Sequence, residues 1–80
     1  MKHTEAIKSA MIKTGVSQKD IVEQLGVKQT TVSERINYKN ISAKHLTEIL
    51  DILGYELVIQ PKVEGDRPDG QYVLERADYA

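Results

Sequence analysis

Apolar residues in the first two thirds of the chain recur with the period of an α-helix. A first helix is predicted over residues 4–14, with Thr4 as its N-cap and Gly15 as its C-terminal stop. Four residues at positions i, i+3, i+4 and i+7 form its inner face: Ile7, Ala10, Met11 and Thr14. This spacing predicts a helix that packs one side against a core.

Two short helices are predicted next, over residues 17–25 and 28–37. Ser17 can cap the first of them, and Asp20 follows three residues later, which is close to the capping-box pattern. Gly26 ends this helix, because glycine adopts the left-handed conformation of a helix stop without strain. The apolar residues that should face inward are Ile21, Val22 and Leu25, followed by Val32 and Ile36.

A fourth helix is predicted over residues 43–53, capped by Ser42 and stopped by Gly54. Ile52 lies outside the apolar stripe of this helix, which consists of Leu46, Ile49, Leu50 and Leu53. Four helices within residues 1–54, joined by short connections, predict a compact, mainly α domain.

The hydrophobic period changes after the fourth helix. Residues 55–60 alternate between apolar and polar positions and are followed by Pro61, which predicts a β-strand. Residues 72–76 are a second candidate strand. The first strand can therefore pair in a hairpin within the chain or with its own copy in a second subunit. Residues 77–80 are expected to be frayed, and residues 55–80 form a separate C-terminal segment.

The composition is that of a small globular protein. The chain has 80 residues, of which 29% are charged and 40% hydrophobic, and the absence of cysteine excludes disulfides and thiolate metal sites. No apolar run approaches the length of a membrane span, and residues 1–13 lack the apolar core of a secretory signal. A cytoplasmic location without membrane contact is expected.

The net charge of −1 conceals an asymmetry along the chain. Residues 1–45 carry eight basic and four acidic side chains, whereas residues 46–80 carry three basic and eight acidic ones. This distribution suggests that residues 1–45 face a polyanion and that residues 46–80 form an acidic rear face or tail. Chance scatter in a short chain can produce the same asymmetry, so it decides nothing alone.

Residues 17–37 have the spacing of a helix-turn-helix, in which two short helices are joined by a turn centred on glycine. Val22 lies where the two helices should cross, and Gly26 is followed in the turn by Val27. The outward positions of the second helix are polar, as a groove-facing surface requires.

The stretch SQKDIVEQLGVKQTTVSERINYKNISAKHLTEILDILG resembles the DNA-binding domain of Cro and lambda-type phage repressors, the XRE family of helix-turn-helix regulators. The resemblance covers roughly residues 4–54 and implies a four-helix, lambda-repressor-like fold. The chain departs from the family pattern at Val22, where alanine is usual, and at Tyr38, where glycine is frequent.

The resemblance implies roles for individual side chains. The second helix of the motif would lie in the major groove of double-stranded DNA, and the residues implied on base edges are Gln29, Thr30, Ser33 and Glu34. Glu34 suits a cytosine amine, and Gln29 suits adenine. The residues implied to hold phosphates are Gln18, Lys28, Asn37, Lys39, Asn40 and Lys44, although Lys28 could equally face the bases.

These positions also have simpler interpretations. Gln29 and Thr30 are ordinary residues for a solvated helix start. Glu34 can repel phosphate or pair with a lysine, and Arg35 can cover the helix or pair with an acid. Each simpler interpretation removes one residue from the recognition surface.

Nothing in the sequence indicates catalysis, a cofactor or a metal site. The chain has no glycine-rich phosphate loop and no Gly-x-Ser-x-Gly elbow, and the stretch EGDRPDG lacks the ligand spacing of an EF-hand. His3 lies near a chain start that is expected to be mobile. A lone histidine such as His45 is more often packed or solvated than a metal ligand.

The predicted C-terminal strand favours a homodimer, because an unpaired strand needs a partner. The ending LDILGYELVIQP also resembles HipB-type antitoxins, XRE regulators that dimerise through a strand after the last helix. The residues implied in dimerisation are Ile52, Tyr55, Leu57, Val58 and Ile59. A dimer would present two recognition helices to half-sites about 34 Å apart.

Three functions follow from these features. The first is a transcriptional regulator of phage or bacterial origin, a repressor that binds a palindromic operator. The second is an antitoxin that autoregulates and binds a toxin, or another protein, through its acidic C-terminal segment. The third is a protein-interaction module that has lost DNA binding, which Glu34 and the acidic total favour. Gln29, Thr30 and Asn37 favour the first two.

Overall fold

The computed structural model describes residues 1–79 and contains the four α-helices that the sequence predicts. They are α1 (His3–Thr14), α2 (Gln18–Leu25), α3 (Gln29–Asn37) and α4 (Ala43–Ile52), and a short 3₁₀ helix follows at Arg76–Tyr79. The prediction of a mainly α protein with four helices is confirmed. In this part of the chain, no helix has the length and apolar character that crossing a membrane would require.

The four helices enclose one apolar core. The buried residues of this core are Ile7, Ala10, Ile21, Val32, Ile36, Leu46, Ile49, Leu50 and Leu53. They match the inner faces that the helical periods predict for α3 and α4. In α2, Ile21 is buried and Val22 and Leu25 are half-buried against the core, and in α1, Met11 is half-buried and Thr14 is exposed. Burial of a large aliphatic side chain contributes about 1.5–3 kcal/mol, so these residues supply most of the stability of a small domain.

Local interactions set the boundaries of α2. The Asp20 N–H donates to Ser17 Oγ at 3.1 Å and the Ser17 N–H donates to Asp20 Oδ2 at 2.9 Å, so the predicted capping box is present. Gly26 ends the helix at a φ of 66°. The prediction that Thr4 caps α1 is wrong, because its hydroxyl donates to the Ile36 carbonyl at the end of α3 and the helix begins before it.

Residues 1–79 contain no β-strand, so the prediction of a C-terminal strand or hairpin within the chain is wrong. Residues 55–60 and 72–76 are instead joined by side chains, with the rings of Tyr55 and Tyr72 stacked at 6.1 Å between centroids. A strand propensity is realised only when another strand lies about 4.8 Å away and accepts its backbone hydrogen bonds. Residues 72–76 do not provide that edge, because the contacts on both sides of them hold this segment along α1.

The end of the chain docks on α1. We call residues 68–79 the docked tail. Its polar contacts reach α1 and the residue that begins the chain: the Met1 ammonium lies 2.9 Å from the Val73 carbonyl and 2.8 Å from Asp78 Oδ2, and Lys13 Nζ lies 2.5 Å from Asp69 Oδ2. The prediction of a frayed end is therefore wrong for residues 77–79, while Ala80 lies outside the described residues.

His3 is fully buried, contrary to the expectation of a mobile chain start. Its backbone N–H donates to the Tyr79 hydroxyl at 2.8 Å, and its Nδ1 lies 2.8 Å from the same oxygen. The two rings also stack, with centroids 5.7 Å apart. The Tyr79 hydroxyl thus satisfies an N–H group at the start of α1 that no side-chain cap satisfies. A hydrogen bond between residues 76 positions apart in the sequence therefore takes the place of a local cap.

The buried imidazole predicts a loss of stability in mild acid. Burial lowers the pKa of His3 below its usual 6.5, and the nearby Lys2 lowers this pKa further. The unfolded chain therefore binds a proton before the folded chain does, so the contribution of neutral His3 is present above pH 6.5 and is lost as the pH falls through the folded-state pKa. Urea unfolding between pH 7.5 and about pH 5 should show this decline.

The matched controls are His3→Asn and His45→Asn. Asparagine at residue 3 can accept from the Tyr79 hydroxyl without titrating, so this variant should lose most of the decline above pH 5. The His45→Asn variant should keep it. The pKa values of Asp20 and Asp69 are lowered by their hydrogen bonds to Ser17 and Lys13, which places their titration below this range. A decline that persists in His3→Asn would contradict the assignment.

Candidate DNA interface

Helices α2 and α3 pack against each other across the turn at residues 26–28. Val22 and Val27 are half-buried and pack on the core, so the two predicted apolar positions of the crossing and the turn both contribute to it. Valine in place of a smaller residue at the crossing is accommodated by this half-buried position. The arrangement is a helix-turn-helix.

Helix α3 has one buried side and one exposed side. Val32 and Ile36 are 0% and 1% exposed and hold the helix against the core from behind. Thr30, Glu34 and Asn37 follow each other at helical spacing on the opposite side, and all three are exposed. The helix is therefore fixed in orientation while its polar face is open to a ligand.

The four residues predicted on base edges are not equally accessible. Gln29, Thr30 and Glu34 are exposed, whereas Ser33 is half-buried. The Asn37 side-chain amide donates to the Ser33 carbonyl at 2.8 Å and reaches the Ser33 hydroxyl at 3.4 Å. Ser33 and Asn37 therefore already interact with each other, and either must share or exchange this contact to reach DNA.

The starts of the two helices differ in what they offer an anion. At α3, the N-cap Lys28 makes no side-chain cap, so the first N–H groups of the helix have no capping acceptor and a cation lies beside them. At α2, Ser17 and Asp20 form the capping box, and hydrogen bonds from the Ser17 N–H and hydroxyl lower the pKa of Asp20. Gln18 is half-buried and begins this helix. The carboxylate in the same turn repels a phosphate, so this helix start binds an anion less well than the start of α3.

The connection between α3 and α4 groups four of the predicted phosphate contacts. Asn37 ends α3, Lys39 and Asn40 lie in the connection, and Lys44 lies in the first turn of α4, and all four are exposed. Tyr38, at the C-cap of α3, is 59% exposed among them. Tyr38 is absent from the predicted contacts, although its departure from the family pattern marks the position in the sequence.

No ion pair involves Glu34 or Arg35 in the part of the chain that the structure describes. Glu34 is exposed and Arg35 is half-buried on the side of the helix. The alternative in which Glu34 pairs with a lysine of this chain thus receives no support.

The residues predicted to mediate dimerisation fall into two groups. Ile52 and Tyr55 are half-buried and pack on the core of their own chain. Leu57, Val58 and Ile59 are exposed, at 46%, 58% and 101%. Of the acidic side chains in the second part of the chain, Asp69 pairs with Lys13 of α1 and Asp78 pairs with the Met1 ammonium.

Comparison with protein families agrees with this geometry. A family model described as helix-turn-helix matches residues 7–60, which is more than half of the chain. The chain belongs to the XRE family of helix-turn-helix regulators. Searches of curated proteins and of solved structures gave no significant match. The XRE family consists of DNA-binding transcription regulators, and the matched residues contain both helices of the helix-turn-helix, α2 and α3.

Proposed function

We propose that this XRE protein is a repressor that binds a palindromic operator as a dimer. The observation that carries the proposal is the division of α3 into a buried side, Val32 and Ile36, and an exposed polar side that includes Gln29, Thr30 and Glu34. A helix held rigidly from behind can present its polar side chains to base edges in a fixed register.

Each proposed contact follows from the donors and acceptors of its side chain. Gln29 pairs with adenine through N6 and N7, Thr30 touches a thymine methyl, and Glu34 accepts from a cytosine amine. Ser33 contributes a base contact when it exchanges its interaction with Asn37. The residues proposed to hold phosphates are Lys28, Asn37, Lys39, Asn40 and Lys44, with Gln18 as a weaker contact because the Asp20 carboxylate lies in the same helical turn.

The dimer is proposed to form through the segment that follows α4, with residues 1–54 as the DNA-binding unit. Leu57, Val58 and Ile59 are exposed in a single chain, and contiguous exposed apolar residues mark interaction surfaces. Sedimentation at high micromolar concentration should show a dimer. Ile59→Ser should shift the protein toward the monomer, and a wild-type monomer at that concentration would contradict this part of the proposal.

Selection from a random duplex pool tests DNA recognition directly. The expected result at low salt is an enriched sequence with two half-sites related by a two-fold axis and centred about one helical turn apart. An enriched single half-site would retain DNA recognition and remove the dimer. No enrichment would favour the interaction module over a regulator.

Repression is tested separately from binding. A reporter with the selected sequence placed within its promoter should lose expression when the protein is produced. Increased expression would identify an activator and contradict the proposed repressor role.

The substitution Glu34→Gln should change the preferred base at one position of each half-site. A carboxylate accepts only, whereas an amide both donates and accepts, so preference should move from the cytosine contact toward adenine by about 1–3 kcal/mol. A second selection with the variant measures this change.

Glu5→Gln is the matched control, because it removes one exposed carboxylate of α1 that belongs neither to the proposed DNA contacts nor to the segment proposed to dimerise. It should leave the selected sequence unchanged. If Glu34→Gln tightens binding to all duplexes alike, Glu34 merely repels phosphate and is not a specificity residue.

A further inference from the structure

The docked tail is held by its contacts with α1 and not by the chain that leads to it. Its ends are attached at opposite ends of the helix, with Tyr79 at His3 and Asp69 at Lys13. Between these points, Tyr72 and Leu74 pack on the core. These contacts are defined by the surfaces of α1 and the tail, so they can form between two chains as well as within one.

The chain between α4 and the docked tail has few interactions of its own. We call residues 56–67 the connector. Within the described part of the chain, no backbone hydrogen bond joins residues 56–62 to another residue. A stretch of 12 residues can span about 40 Å when extended, and the longest dimension of the whole chain is 39 Å. The connector is long enough to deliver its tail to a neighbouring molecule.

The connector also carries apolar side chains that a single chain leaves uncovered. Of the six large hydrophobic residues exposed in residues 1–79, four belong to it: Leu57, Val58, Ile59 and Val63. The connector and the docked tail border an open groove whose floor includes Ala6, Ala10, Leu46 and Leu50. A second connector passing alongside would cover these side chains without disturbing α1 or α4.

We propose that two copies of this chain exchange their docked tails, so that residues 68–79 of each protomer lie against α1 of the other. The exchange keeps the contacts of the tail with Met1, α1 and Tyr55, because the same surfaces meet. It adds the burial of Leu57, Val58, Ile59 and Val63 between two connectors that cross at the two-fold axis. The partner is therefore a second copy of the chain. The inference rests on the proposed dimer and specifies how that dimer forms.

The absence of cysteine from the sequence makes crosslinking a clean test. Lys13→Cys and Asp69→Cys, combined in one chain, replace an exposed ion pair that contributes little to stability, so docking by Tyr79 should persist. Sedimentation first establishes the oligomeric state of this double variant. A short bismaleimide is then added, and the products are separated on a denaturing gel. The expected product is a covalent dimer.

Each outcome has a distinct meaning. A crosslinked single chain obtained from a sedimenting dimer overturns the exchange and leaves the dimer intact. A sedimenting monomer overturns both. Absence of any crosslink shows that residue 69 is not beside residue 13 in solution and also overturns the exchange.

Two further samples sharpen the result. When the Lys13→Cys and Asp69→Cys single variants are unfolded, mixed and refolded together, exchange should produce a covalent dimer between them, whereas tails that return to their own chain should produce none. The Lys28→Cys and Asp69→Cys double variant is the control for chance collisions, because Lys28 is the N-cap of α3 and forms no ion pair with the docked tail among residues 1–79. It should give neither product in quantity.

Discussion

An alanine in place of Ile36 should lower the free energy of unfolding by about 2–5 kcal/mol. Ile36 is 1% exposed and holds the last turn of α3 against the core, so truncation leaves a cavity that the surrounding helices can fill only in part. A domain of this size has only about 5–15 kcal/mol of stability to lose. Urea unfolding followed by circular dichroism measures the change, which should appear as a lower midpoint concentration of urea.

Ile12→Ala is the matched control. Ile12 is also in a helix but is 84% exposed, so the same change of side chain should alter stability by less than about 0.5 kcal/mol. Equal effects at the two positions would contradict the assignment of Ile36 to the core. DNA binding by the folded fraction of Ile36→Ala should also weaken, since the recognition helix loses an anchor.

The substitution Gln29→Ala should weaken binding to the selected operator by about 1–3 kcal/mol, or roughly 5- to 150-fold. Gln29 is exposed at the first position of α3, where a side chain of its length can reach the N6 and N7 groups of adenine. Because the side chain has no partner in the core, stability should change little. Titration of a labelled duplex at fixed salt measures the affinity.

Specificity distinguishes this contact from a general loss of binding. Affinity for an unrelated duplex should be unchanged in Gln29→Ala, and the variant should no longer discriminate against the operator altered at the contacted base pair. Gln71→Ala provides the control, because Gln71 is exposed in the docked tail outside the interface. If Gln29→Ala weakens all duplexes equally, Gln29 contributes no base readout.

Several features of the fold were predictable because they depend on residues close together in the chain. The capping box of Ser17 and Asp20 and the stop at Gly26 involve three or four consecutive positions each, and both are present. The periods of apolar residues likewise predicted the buried pair Val32 and Ile36. The candidate interface could be located for the same reason, since its main element is a short helix with clear signals at both ends.

The C-terminal part was predicted less well, because its structure depends on residues far away in the sequence. The alternation in residues 55–60 indicates strand propensity, but a strand requires a partner edge, and residues 1–79 provide none. Residues 76–79 carry no strong helical signal, and they become ordered because Tyr79 meets His3. Thr4 similarly leaves its predicted role as a cap because the Ile36 carbonyl lies within reach.

The sequence by itself determined the four helices, the helix-turn-helix and the polar side of α3, which follow from local spacing and capping chemistry. Its resemblance to known regulators determined the family. Only the tertiary structure decided that the chain end docks on α1, that His3 is buried beneath Tyr79 and that Glu34 has no ion-pair partner within residues 1–79. The physical reason is the same in each case. Contacts between distant residues depend on how the helices bring them together, and no short pattern in the sequence records that arrangement.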